Sequence, residues 1–281
     1  MNEFFPMVLA FLIIAAVAIP LSIMAAMMAQ ERREALASGW AAARGYNYLR
    51  SNPAMLPLLR DEPHSADRSA KVEEFIDGTI SGHPFCSFKY SYEVSTGTHG
   101  NAFGGPHFGS FMDSNNIFPS SSSTFGGPFG THNIHGFTTG NTGSTTTVNR
   151  SIIMMRLPAA LPGFSLTHEG IGDKIQKFFG GQDIELESDD FNQLFRVQSP
   201  VEGFAYGVLH PRMMEWLMGP ASSLVPFVID GPDVIFRRDG EPDYTALDGQ
   251  LAVLSEFIDQ IPQGVFEQYG APPALGWRAH R

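Results

Sequence analysis

Four histidines, His99, His107, His132 and His135, fall within one stretch of the chain, residues 95–147. Grouped imidazoles are the commonest reason to suspect a metal. Their spacing argues against one: no HxxxH or CxxC pattern sets two ligands on one helical face, and tracts that hold metal are denser in histidine. His210 stands in HPRMMEWL, which looks like a motif, yet each part has a local account. His210 precedes Pro211, so it ends one helix and caps the next. Met213, Met214, Trp216 and Leu217 suit a core, and Arg212 and Glu215 have the spacing of a helical ion pair. Cys86, the single cysteine, lies in an apolar alternation with no neighbouring ligand and reads as a small buried residue. Gly170-Ile171-Gly172 lacks the third glycine of a dinucleotide fingerprint, and no P-loop, GxSxG, HExxH or CxxCH occurs. His168-Glu169 and Asp189-Asp190 are polar pairs of the kind any surface carries. The expectation is a protein with no catalytic residue, no metal and no cofactor.

The elements that would position any site begin with residues 7–29, which contain no charge and only Ser22 as a polar side chain. As a helix they would reach roughly 34 Å at about 1.5 Å per residue, enough for a hydrocarbon core of about 30 Å. A cleaved signal peptide is the competing reading. No Lys or Arg precedes the run, Glu3 makes that end acidic, and the run exceeds an ordinary signal core, so a transmembrane helix is expected. Arg32, Arg33, Arg44 and Arg50 follow it, which predicts an outward N-terminus and a cytoplasmic C-terminal domain. A lone cysteine agrees with a reducing compartment. Ala18, Ser22, Ala25, Ala26 and Ala29 form a face of small residues suited to packing against a partner helix. Pro20 predicts a kink.

Beyond the span, residues 31–46 read as a helix stopped by Gly45, with Trp40 either at the membrane interface or as the first core contact. The proline-containing residues 51–70 read as a linker. A hairpin is expected from 75–80 and 85–94, with Cys86, Phe88, Tyr90 and Tyr92 on its buried face. Strands follow at 148–157, 164–167, 183–187 and 195–198, the first able to pair with 85–94. A short helix is expected at 173–179, and another after Ser188 as N-cap. Helices are expected at 201–209 and 213–218, then a second hairpin around Gly231-Pro232. Leu247, Leu251, Leu254, Ile258 and Ile261 make 244–261 the strongest soluble helix, and the tail beyond it reads as irregular. The fold class is α+β: one N-terminal transmembrane helix, then a mixed, mainly antiparallel sheet domain with short helices. The expected divisions are 1–29, a juxtamembrane part 30–70, and a cytoplasmic domain 71–281.

Residues 95–147 interrupt that domain as an insertion rich in Gly, Ser, Thr and Asn, with Asp113 as its one acid and no Lys or Arg. It carries Phe103, Phe108, Phe111, Phe118, Phe125, Phe129 and Phe137. Three readings stand open: a disordered insertion, a docking segment that seats its phenylalanines on a partner, and a histidine metal site. The net charge is −11; residues 1–50 hold four basic and three acidic side chains, so the rest carries −12, and no basic cluster is present. Non-specific nucleic-acid binding and adhesion to anionic lipid are therefore not expected, and the acidic domain suits a basic protein partner.

The pieces FFPMVLAFLIIAAVAIPLSIMAA, RREALASGWAAARGY, IIMMRLPAALPGFSLTHEG, FNQLFRV and FAYGVLHPRMMEWL resemble a family of actinobacterial single-span membrane proteins. That family includes an accessory subunit of the cytochrome bcc–aa3 respiratory supercomplex. The resemblance runs over nearly the whole chain and rests on order and character, not on a diagnostic motif. It implies a non-catalytic subunit without a cofactor, its helix packed beside oxidase or bcc subunits in the bilayer. It assigns no site residue. The alternatives are a membrane-tethered sensor or ligand-binding domain acting alone, and a hydrolase whose triad is assembled from distant positions.

Overall fold

The structure is a computed structural model, which describes residues 4–59, 62, 69–96, 144–169, 182–219, 221, 222 and 225–272; the α1 side chains are described from Ala18 on, Ile19 and Ile23 apart. The chain divides into two compact units, Met1–Glu93 with Thr147–Arg281, and Val94–Thr146. The four histidines and seven phenylalanines of 95–147, and the helix expected at 173–179, lie outside the described residues.

α1 (Phe4–Arg44) is one helix, continuous through Pro20. The two helical stretches expected at 7–29 and 31–46 are thus a single helix that stops before Gly45, whose φ of 73° suits a glycine at a helix C-terminus. Among the described residues no helix is long and apolar enough to cross a membrane.

The domain is a mixed α+β arrangement around a mainly antiparallel seven-stranded sheet, ordered β1 (Asn47–Ser51), β2 (Lys71–Ile80), β3 (His83–Thr96), β4 (Ser144–His168), β6 (Phe195–Ser199), β5 (Gln182–Ile184), with β7 (Phe227–Asp239) also paired to β4. The expected β2–β3 hairpin forms, and its turn is the two-residue Ser81-Gly82, with φ of 49° and 87°. Both central residues of a type I′ turn need positive φ, which matches the right-handed twist of the flanking strands. β4 follows β3 in the sheet, as the sequence suggested.

Opposed residues in an antiparallel pair share a face. Ile153 opposite Phe236 and Met155 opposite Val234 therefore face one side, where α1, α3 (Glu202–Val208), α4 (Pro211–Met218), α5 (Leu247–Gln260) and α6 (Gln263–Tyr269) contribute to the main core. Ile152 opposite Arg237, Met154 opposite Ile235 and Arg156 opposite Asp233 face the other side, with Cys86, Phe88, Tyr90 and Tyr92. Both sides are buried, which explains the unbroken apolar run at 152–155.

Four expectations are corrected. Gly231-Pro232 does not make a hairpin: β7 passes straight through it, because β4 carries a matching irregularity opposite, with register shifts around Leu161. For the same reason 164–167 is not a separate strand but the end of β4. Residues 51–70 are more than a linker: the chain leaves β1 into a 3-10 turn (Pro53–Leu58), and Met55, Leu59 and Glu62 are buried. The tail contains α6, held by Val265 in the core.

Candidate functional site

The most elaborated site among the described residues is the root of α1, where the long helix enters the domain. Arg33, Ala37, Trp40, Ala41 and Arg44 recur at spacings of three and four, so they share one helical face. Ala37 and Ala41 are fully buried, and Trp40 is a core contact at 9% exposure. The alanines let the helix backbone approach the sheet, and Trp40 fills the remaining space against Tyr46 and Tyr244, with ring centroids 5.6 and 6.3 Å away.

Charged side chains close both ends of this face. Arg44 Nε donates to Asp248 Oδ1 of α5 at 2.7 Å, and its guanidinium lies 4.3 Å from the centre of the Trp40 ring. Arg33 Nε lies 3.4 Å from Glu74 Oε1, and its Nη2 pairs with Glu241. Glu74 sits where the β2–β3 register breaks between Glu73 and Ile76, at a φ of 53°. That left-handed conformation is strained for glutamate and persists only where surroundings enforce it. Here the bulge turns Glu74 inward, to 4% exposure.

Glu74 is met from three elements. Tyr244 donates its hydroxyl to Oε2 at 2.6 Å, Arg33 approaches Oε1, and Lys89 Nζ stands 4.0 Å from Oε1 and 2.9 Å from Glu73 Oε2. Glu241 completes the cluster through Lys89 at 3.9 Å and accepts from Asn149 Nδ2 at 3.0 Å. Burial, and then the bond to Glu74, push the Tyr244 hydroxyl far above the ordinary tyrosine range, so it serves as a fixed donor. The arrangement locks α1 to β2, β3 and the segment between β7 and α5. Its charged and polar groups are paired across these elements, which makes it a mechanical joint.

Tyr46 links this joint to β2. Its ring packs edge-on to Phe85, with centroids 4.9 Å apart, and lies over Gly78, where an added Cβ would run into it. Gly78→Ala is therefore expected to displace Tyr46 and lower stability by about 1–3 kcal/mol, the usual range for overpacking, read from the urea midpoint of the full chain in detergent. An unchanged midpoint would show that Tyr46 is not held there.

Other sequence-marked residues are accounted for locally. His210 caps α4: its Nδ1 accepts from the Met213 amide at 3.4 Å, and its Nε2 lies 3.2 Å from the Gln260 carbonyl, so both ring nitrogens are engaged. Ser188 Oγ accepts from the Phe191 amide and caps α2 (Asp189–Leu194), as expected. Cys86 is fully buried, and burial drives its thiol well above the ordinary range. It should resist thiol reagents in the native protein and react only on unfolding; rapid native labelling would refute this burial. Among the described residues no three His, Cys, Asp or Glu side chains converge as metal ligands. A depression of about 310 Å³ between α4 and α5 is lined by Arg212, Glu215, Trp216, Glu256 and Gln260. Another of about 290 Å³, beside β5 and β6, includes the Asp183–Arg196 pair.

No protein-family model matches the chain, and neither does any curated protein. Among solved structures, the crystal structure of the mycobacterial trehalose monomycolate transport factor A, TtfA, aligns at 11% identity, covering 88% of this chain and 98% of that one, with a TM-score of 0.47. A likeness at that level assigns neither fold nor role.

Ala18, Ser22, Ala25, Ala26 and Ala29 are exposed along α1. Of the joint's residues, the sequence marks Trp40, one of whose two readings is the first core contact. Glu73-Glu74 within a strand is a further trace, since two successive acids break the alternation a half-buried strand requires.

Proposed function

We propose that the protein is a membrane-anchored, non-catalytic interaction subunit that carries an acidic domain on a rigid stem. The observation that supports this most is the joint: a helix of 41 residues, uncharged over 7–29, has its other end seated in the domain core and clasped by Arg33 and Arg44. A tether that only retained a domain at the membrane would need no such rigidity. A subunit that must present its domain at a set height and angle to neighbours does. In this reading residues 7–29 span the bilayer with the N-terminus outside and the domain in the cytoplasm. Ala18, Ser22, Ala25, Ala26 and Ala29 pack on a partner's helix, and the phenylalanines of 95–147 add a second docking element. The respiratory bcc–aa3 assembly, suggested by sequence resemblance, is the first complex to examine.

The test is extraction from native membranes in a mild detergent, followed by size separation and mass spectrometry of the fractions. Co-migration with integral membrane subunits is expected, and oxidase or bcc subunits would identify the assembly. Recovery as a lone monomer under conditions that keep known membrane complexes intact would overturn the reading.

A further inference from the structure

Resting on the anchored reading, we infer that the 3-10 turn Pro53–Leu58 is a second membrane contact that seats the domain on the lipid headgroups beside the stem. After Gly45 the chain reverses, and β1 runs back along α1 toward its apolar half. The Tyr46 amide donates to the Ala41 carbonyl at 2.9 Å, and four residues later Arg50 Nε donates to Glu34 Oε1 at 2.9 Å. Ser51 and Asn52, which lead into the turn, therefore lie near the level of Glu34.

Glu34 is five helical residues past Ala29, the last residue of the apolar run, or about 8 Å along the axis. The headgroup layer extends roughly 5–8 Å beyond the hydrocarbon on each side. β1 thus delivers the turn to headgroup depth.

The composition of the turn suits that depth. It reads Pro-Ala-Met-Leu-Pro-Leu, with no charge. Met55 is buried against the domain, whereas Pro53, Ala54 and Pro57 are exposed and Leu58 is 41% exposed. Its apolar surface thus lies about one and a half helical turns beyond the apolar part of α1, at the depth of the headgroups. Nearby exposed charges have both signs, Arg32 and Arg50 beside Glu31 and Asp239, so the contact relies on apolar insertion and needs no anionic lipid.

The experiment uses the full chain with Leu58→Cys, labelled with an environment-sensitive fluorophore under native conditions, which spare the buried Cys86, and reconstituted in phosphatidylcholine vesicles. An Asp259→Cys label on α5 serves as reference, since Asp259 pairs with His83 beside the Ser81-Gly82 turn at the opposite end of β2. The label at 58 is expected to lose most of its emission when the lipid is replaced by brominated phosphatidylcholine and to resist aqueous iodide, with the reverse at 259. Equal iodide access at both positions, in protein that withstands alkaline carbonate extraction, would overturn the contact while leaving the anchor standing. Protein released by carbonate would overturn both. If the label disturbs the turn, hydrogen exchange at 54–58 in the unlabelled protein decides: slower exchange in phosphatidylcholine nanodiscs than in detergent supports the contact, and equal exchange refutes it.

Discussion

Glu62→Ala is expected to lower unfolding free energy by roughly 3–5 kcal/mol, the range for removing one partner of a buried ion pair. Glu62 is 4% exposed and shared by two arginines on the sheet side opposite the main core, with Arg150 at 2.5 Å and Arg237 at 2.7 Å. Burial holds Arg237 down to about 10, and burial outweighs the Arg150 pairing at Glu62, whose carboxyl is raised above the ordinary range. Truncation to alanine leaves both guanidiniums without the carboxylate they share. Glu62→Gln keeps the shape and an acceptor, and should cost clearly less. Because the folded carboxyl binds its proton more tightly than the unfolded one, this group's stabilising contribution is complete below about pH 4.5 and is lost as pH rises toward its folded value. Glu62→Gln should remove that part of the slope. Urea melts of the full chain at several pH values read both effects, and an alanine variant as stable as the wild type would show that the cluster does not clamp the connection between β1 and β2.

Trp40→Ala should cost a similar roughly 3–5 kcal/mol, since it empties the space between α1, Tyr46 and Tyr244 and removes the surface on which Arg44 rests. Trp40→Phe separates packing from polarity. The indole Nε1 is buried without a hydrogen-bond partner, so phenylalanine removes an unsatisfied donor and only part of the ring volume. It should cost less than about 1.5 kcal/mol. If the joint fixes the domain on its stem, Trp40→Ala should also weaken retention of partner subunits on extraction, more than Gly78→Ala does at matched stability. Thermal melts and co-purification measure the two. Full retention by a folded Trp40→Ala protein would mean that the joint stabilises the domain without setting its position for partners.

What the sequence determined by itself lies within a few residues of its cause. Ser188 and His210-Pro211 announced helix starts because a cap is satisfied three residues away. The 251, 254, 258 stripe announced α5, and the alternation of Cys86, Phe88 and Tyr90 announced β3, because side-chain period is set by local backbone geometry. Tertiary structure decided the rest. Gly231-Pro232 has the chemistry of a turn, yet the irregular stretch of β4 opposite it keeps β7 extended. Glu62 reads as linker polarity until Arg150, 88 positions on, is placed over it. Glu74 becomes the centre of the joint only when Tyr244, 170 positions away, and Arg33 are brought to one bulge. Such pairings depend on chain entropy already spent in folding the sheet, so no local preference encodes them. Residues 7–29 show the same division: their composition proposes an anchor, and only the tertiary structure shows Ala37, Trp40 and Ala41, further along the same helix, buried in the domain core.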